Sequence, residues 1–131
     1  MKPILKGRVW PMIEVISDLP DHVIGIEAMG KVTGTDYESI IVPLVEEKLK
    51  TYPKISLLYH IGSEFTGMDA EAVWEDTKVG LRHIKVWEKI AVVSDVEWVR
   101  WAMNIFRVAM PGHLKVFANT QLAEARKWVS E

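Results

Sequence analysis

An α/β fold, with a mixed and largely parallel five-stranded sheet and four helices, follows from three features of the sequence. Apolar residues alternate in two short N-terminal stretches and then run continuously in later ones, as half-buried and fully buried strands do. Segments with apolar spacings of three and four separate the later strands, so the order reads ββαβαβαβα, and repeated βα units call for parallel pairing. Residues 95–111 (DVEWVRWAMNIFRVAMP) form a helix with more apolar circumference than one sheet covers.

The first strands are residues 12–18 (MIEVISD) and 22–29 (HVIGIEAM), and Leu19-Pro20-Asp21 supplies the turn of a β-hairpin. After a glycine-punctuated loop, Thr35 or Asp36 can cap a helix running to Lys50. Ile40, Ile41, Leu44, Val45 and Leu49 form its apolar face, and Pro43 predicts a kink or a restart with proline in the new first turn. KISLLYHI (54–61) reads as a central strand and GSEFTG (62–67) as a loop at its carboxyl end. Asp69 is expected to cap a second helix with Ala70, Val73, Trp74, Leu81 and Ile84 on its inner side, weakened at Gly80. EKIAVVS (88–94) is another buried strand, and HLKVFA (113–118) a short edge strand. Asn119 or Thr120 then caps a last helix with Leu122, Ala125, Trp128 and Val129 inside.

The third helix is predicted to run from an N-cap at Asp95 to a stop at Pro111-Gly112. At about 100° per residue, Glu97, Arg100, Asn104 and Arg107 share a polar stripe roughly 80° wide. Trp98, Val99, Trp101, Met103, Ile105, Phe106, Val108 and Met110 cover most of the rest. Packing on a sheet needs little more than ~100°. The surplus calls for a cover: another helix, a dimer partner, a hydrophobic ligand or a membrane surface. Burying each such side chain contributes roughly 1.5–3 kcal/mol.

Composition narrows the function. The 131 residues, 49% hydrophobic and 26% charged, suit one domain at 12–131 behind an N-terminal extension at 1–11. That extension carries Lys2, Lys6 and Arg8 beside Leu5 and Trp10, and reads as a frayed tail or as a basic segment touching an anionic bilayer. A net charge of -2 argues against nucleic acid as a partner. The absence of cysteine excludes disulfides and thiolate chemistry and fits a reducing cytoplasm. No apolar run reaches the ~18 residues of a membrane span.

Four stretches carry a family resemblance: DYESIIVPLVEE (36–47), FTGMDAEAVWEDTKVGLRH (65–83), WEKIAVVSDVEWVRWAMNIF (87–106) and HLKVFANTQLAEARKWV (113–129). They resemble the SpoIIAA-like family, related in fold to the sulfate transporter and anti-sigma factor antagonist (STAS) domain. The resemblance implies an α/β fold shared with anti-sigma antagonists and with CRAL-TRIO carriers of lipophilic molecules. Antagonists bear a phosphorylatable serine in a DSSG-like motif after the central strand and at a helix start. Here the region reads GSEFTGMD, leaving Ser63 and Thr66 as phosphoacceptor candidates without that motif. Without that motif, loop and cap roles are the favoured reading of both residues.

Enzyme signatures are weak. Gly62-Ser63-Glu64-Phe65 is not the GxSxG elbow, and His60 near Ser63 lies in a strand. Spacing does not assemble Glu64, Asp69, Asp76 and His83 into an acid–base set. His22, His60, His83 and His113 are dispersed, so no metal is expected. Gly25, Gly30 and Gly34 form no phosphate loop, and no cofactor is implied.

The expectation is a non-enzymatic, cytoplasmic binding or carrier protein for a nonpolar or lipid-like ligand, held in a cleft between the second and third helices. The ligand-binding candidates are Trp74, Leu81, Ile84, Trp98, Trp101, Met103, Ile105, Phe106 and Met110. A basic concentration at Lys78, Arg82, His83, Lys85 and Lys89, with Arg100 and Arg107 on the third helix, reads as solvated surface or as transient contact with the inner face of a membrane. For membrane contact, Arg82, Lys85, Arg100 and Arg107 are the candidates. The alternative is a STAS-like regulatory protein-interaction module, including a homodimer, that covers the third helix. An interfacially activated hydrolase using Ser63 ranks third.

Overall fold

Alternating apolar residues pair the first two strands, β1 (Ile13–Ile16) and β2 (Val23–Val32), antiparallel across a turn in which Asp18 takes a positive φ of 66°. The computed structural model describes residues 13–82, 85–110 and 113–131. The expected extension at 1–11, His83, Ile84 and the Pro111-Gly112 stop lie outside the described residues, as do the side chains of Leu81 and Arg82. Strands β3 (Ile55–Met68), β4 (Trp87–Ser94) and β5 (Leu114–Phe117) each add in parallel, and the sheet order is β1-β2-β3-β4-β5. The predicted mixed sheet and element order are those observed.

Each parallel strand adds on the same side of the last, so right-handed crossovers place the three connecting helices on one face. These are α1 (residues 34–49), α2 (Ala70–Arg82) and α3 (Glu97–Phe106). Tyr37, Ile41, Val45, Ala72 and Val99 bury there with Ile24, Ile26, Ile55, Tyr59 and Val92 of the sheet. Helix α4 (Leu122–Ser130) covers the opposite face, where Ala125 and Val129 meet Val23, Leu58, Ala91 and Val93.

Helix α1 is a continuous rod of three pieces: one turn at Gly34–Asp36, a π-helical turn at Tyr37–Ile41 and an α-helix at Val42–Leu49. Pro43 lacks the N–H for the carbonyl four residues back and its ring would crowd that carbonyl; the wider π turn just before it relieves both problems. The cap is Thr33, upstream of the expected Thr35 or Asp36. Its hydroxyl accepts the Asp36 N–H at 3.3 Å while the Asp36 carboxylate accepts the Thr33 N–H at 2.8 Å.

Three other boundaries differ from expectation. The expected loop GSEFTG is strand: β3 continues beside a longer β2, pairing Phe65 with Gly30, Gly67 with Lys31 and Met68 with Val32. The register shifts there are absorbed by glycines at positive φ, 58° at Gly30 and 152° at Gly67. Asp95 does not cap α3. Its Oδ1 accepts the Asn119 N–H at 3.0 Å, and the Ser94 hydroxyl accepts the Val96 N–H at 3.0 Å. Before α4, a 3-10 turn (Asn119–Gln121) is closed by the Gln121 side chain on the Ala118 N–H, so neither Asn119 nor Thr120 caps that helix. Asp69 caps α2 as expected, accepting the Ala72 N–H at 2.7 Å.

Candidate functional site

Helices α2 and α3 lie over the same sheet face without closing on each other. The cleft between them has a volume of about 170 Å³. Tyr59 and Ile61 of β3 and Val92 of β4 floor it. Its walls are Val73, Asp76 and Thr77 of α2 against Val99, Ala102, Met103 and Phe106 of α3. The strand extension of β3 closes one end, with Met68 lining the cleft and the Phe65 ring 6.2 Å from that of Trp98. A smaller cavity of about 60 Å³ adjoins it, sharing Tyr59, Asp76, Val92, Met103 and Phe106 and reaching Tyr37, Ile41 and Val45 of α1.

Beside Thr77, whose hydroxyl donates to the Val73 carbonyl at 2.9 Å, one polar cluster interrupts this apolar lining. The Tyr37 hydroxyl donates to Asp76 Oδ1 at 2.8 Å and lies 2.7 Å from the Tyr59 hydroxyl. With its proton given to Asp76, Tyr37 accepts from Tyr59. The order is therefore Tyr59 to Tyr37 to Asp76. Burial, reinforced by the facing carboxylate, holds both phenols well above their ordinary range. Burial likewise lifts the Asp76 carboxyl, and the Tyr37 hydrogen bond pulls it partly back. Asp76 is half-buried and borders the cleft.

The inward face of α2 is not the expected one. Ala72 is fully buried, and Asp76 and Val79 line the cavities, whereas Trp74 is 60% exposed. Trp74 lies about 160° around the helix from Asp76. The hydrogen bond from Tyr37 holds this rotation, because a carboxylate bonded to a buried phenol must face inward. Val73, at the edge, lines the cleft while staying half exposed.

Helix α3 presents two apolar faces. Val99, Ala102, Met103 and Phe106 face inward, and Met110 beyond the helix is buried in the core. Trp98, Trp101, Ile105 and Val108 face outward, exposed by 48, 69, 54 and 80%. Of the nine ligand-binding candidates, Trp98, Met103 and Phe106 line the cleft. Trp74, Trp101 and Ile105 stand on the outside, Met110 packs in the core, and Leu81 and Ile84 fall outside the side chains described. Tyr37, Tyr59, Met68, Asp76 and Ala102 were missed. The spacing Ala72, Asp76, Val79 could have flagged Asp76, a lone carboxyl at a core position of a helix.

Among the described residues the basic side chains do not form one patch. Lys78 pairs with Glu75 at 3.0 Å and sits over the Trp74 ring, while Lys89 donates to the Trp128 and Glu131 carbonyls on the α4 side. Arg100 donates to the Ser94 carbonyl at 2.8 Å; Arg107 and Lys85 are exposed. Ser63 and Thr66 are exposed on the extended part of β3, not at the start of α2. His60 faces Glu27 at 3.8 Å. Among the described residues no group of three or more His, Asp or Glu converges as a metal site would, and no helix is long and apolar enough to cross a membrane.

Similar proteins agree with the fold. A crystal structure of an uncharacterized protein from the DUF3478 family of Shewanella loihica PV-4, with a SpoIIAA-like fold, is 31% identical in sequence and superposes with a TM-score of 0.70, covering 89% of this chain and 91% of that one. No curated protein matches the chain. The shared fold supports a regulatory or binding module. Matched over residues 23–130 by the SpoIIAA-like family model, the chain belongs to the SpoIIAA-like family.

Proposed function

We propose that this chain is a non-enzymatic binding protein that holds a nonpolar or lipid-like molecule between α2 and α3. The observation that carries this reading is the apolar cleft of about 170 Å³ lined by Met103 and Phe106. An apolar cavity of about 150 Å³ takes up benzene, so this space suits a ring or a short chain segment. Met103 provides an adaptable wall for an irregular apolar body. Trp98, at the mouth, belongs to both the cleft and the outer face.

The outer face supports a second role for the same helix. Exposed Trp98, Trp101, Ile105 and Val108 next to Arg107 combine aromatic and basic groups, as surfaces resting at a bilayer interface do. The same face equally favours the regulatory reading, in which a protein partner or a second copy covers it. Light scattering and co-sedimentation with anionic vesicles separate these occupants.

Toluene added to protein labelled at its methionine methyls tests the cleft. The Met103 resonance is expected to shift and saturate, with Met29, which does not line the cleft, as an internal reference. A Met103 signal unmoved at toluene saturation refutes the ligand reading.

A further inference from the structure

The polar end of the cleft has a direction. Tyr59 donates to Tyr37 and Tyr37 donates to Asp76, so both hydroxyl protons are spent inside the relay. What the relay leaves over, on two residues that line the cleft, is acceptor capacity: the second carboxylate oxygen of Asp76 and the lone pairs of the Tyr59 oxygen. No cation of the described chain bonds Asp76; the nearby Lys78 on the same helix is paired with Glu75 at 3.0 Å. A half-buried carboxylate without a counter-charge is costly, and a ligand that brings a positive donor relieves that cost.

Resting on the cleft reading above, the geometry points to a ligand with an apolar, ring-sized body and a protonated amine head that donates to Asp76. Free carboxylate and phosphate heads do not fit this end: they would place acceptor against acceptor and like charge against like charge. The apolar walls, Met103 and Phe106 foremost, then select the body and Asp76 the head.

Calorimetric titration of the full chain at pH 7 with benzylamine, benzyl alcohol, benzoate and toluene tests this. The four share a ring and differ in the head. Benzylamine is expected to bind roughly ten-fold or more tightly than benzoate, with benzyl alcohol between them, since a charge-assisted bond is about twice as strong as a neutral one. Asp76→Asn should shrink the amine-to-benzoate ratio to about two-fold or less, and the order of the four probes on the unmodified chain stands as evidence even if that variant folds poorly. Uptake of toluene and benzyl alcohol with no preference for the amine overturns the head-group assignment and leaves the cleft reading standing. Binding of none of the four overturns both.

Discussion

Replacing Tyr37 by Phe deletes one oxygen that makes two hydrogen bonds, 2.7 Å to Tyr59 and 2.8 Å to Asp76. Tyr37 is 1% exposed, so bulk water does not take the place of the lost group. A neutral bond of this kind contributes about 1 kcal/mol and one to a carboxylate about 1.5–3 kcal/mol, which together make roughly 2.5–4 kcal/mol. Asp76 borders the cleft, and a water there recovers part of its share, so the expected loss is about 2–3 kcal/mol near neutral pH. That is a large fraction of the ~5–15 kcal/mol typical of a domain. Urea unfolding reads it directly, as a lower midpoint at unchanged slope. The loss should also grow with pH. The Tyr37 bond stabilises the charged form of Asp76, so its removal lifts that carboxyl further and penalises the ionised state most. A change below about 0.5 kcal/mol, or one flat across pH, refutes the relay.

Asp76→Asn should change the pH dependence of stability. Burial lifts the carboxyl above its ordinary 3.8, so between 3.8 and the lifted value the folded chain holds a proton the unfolded chain has lost. The resulting stabilisation is complete below 3.8 and is lost as pH rises through the folded value; unfolding curves of the Asn variant should lack that decline. Thr33→Ala removes the reciprocal cap of α1 and is expected to cost about 1 kcal/mol in chemical unfolding. Trp101→Ser, on the outer face of α3, should leave unfolding within about 0.5 kcal/mol while lowering self-association or vesicle binding. If light scattering and sedimentation are both unchanged, that face is not a contact surface.

Periodicity carries far in this chain because most elements bury one simple face. The hairpin, the buried strands, the last helix and the two-faced α3 are all legible from apolar spacing alone. The polar stripe of Glu97, Arg100, Asn104 and Arg107 lies where the spacing put it, and the surplus apolar arc became a second face. Helix α2 failed the same test. Its largest apolar residue, Trp74, pulled the predicted inner face toward itself, while a hydrogen bond between residues 39 apart in sequence turned Asp76 inward. Hydropathy cannot register such a bond, because Asp76 counts there only as a surface residue. GSEFTG misled for a related reason: its glycines signal a loop in isolation, yet beside a partner strand they serve as bulges.

The cleft separates two properties that an apolar stripe alone runs together. Its size is set by Met103, Phe106, Ala102 and Val73, side chains whose exchange for others of similar volume would reshape the space without giving it a preference for charge. Its polarity rests on the relay, where each proton position follows from the one before. A resemblance to lipid carriers speaks only to the first property. The second argues against an anionic lipid head at the Asp76 end, because the two tyrosines have no proton left to offer it. A carrier of this build would therefore sort ligands by their heads even where their apolar bodies fit equally well.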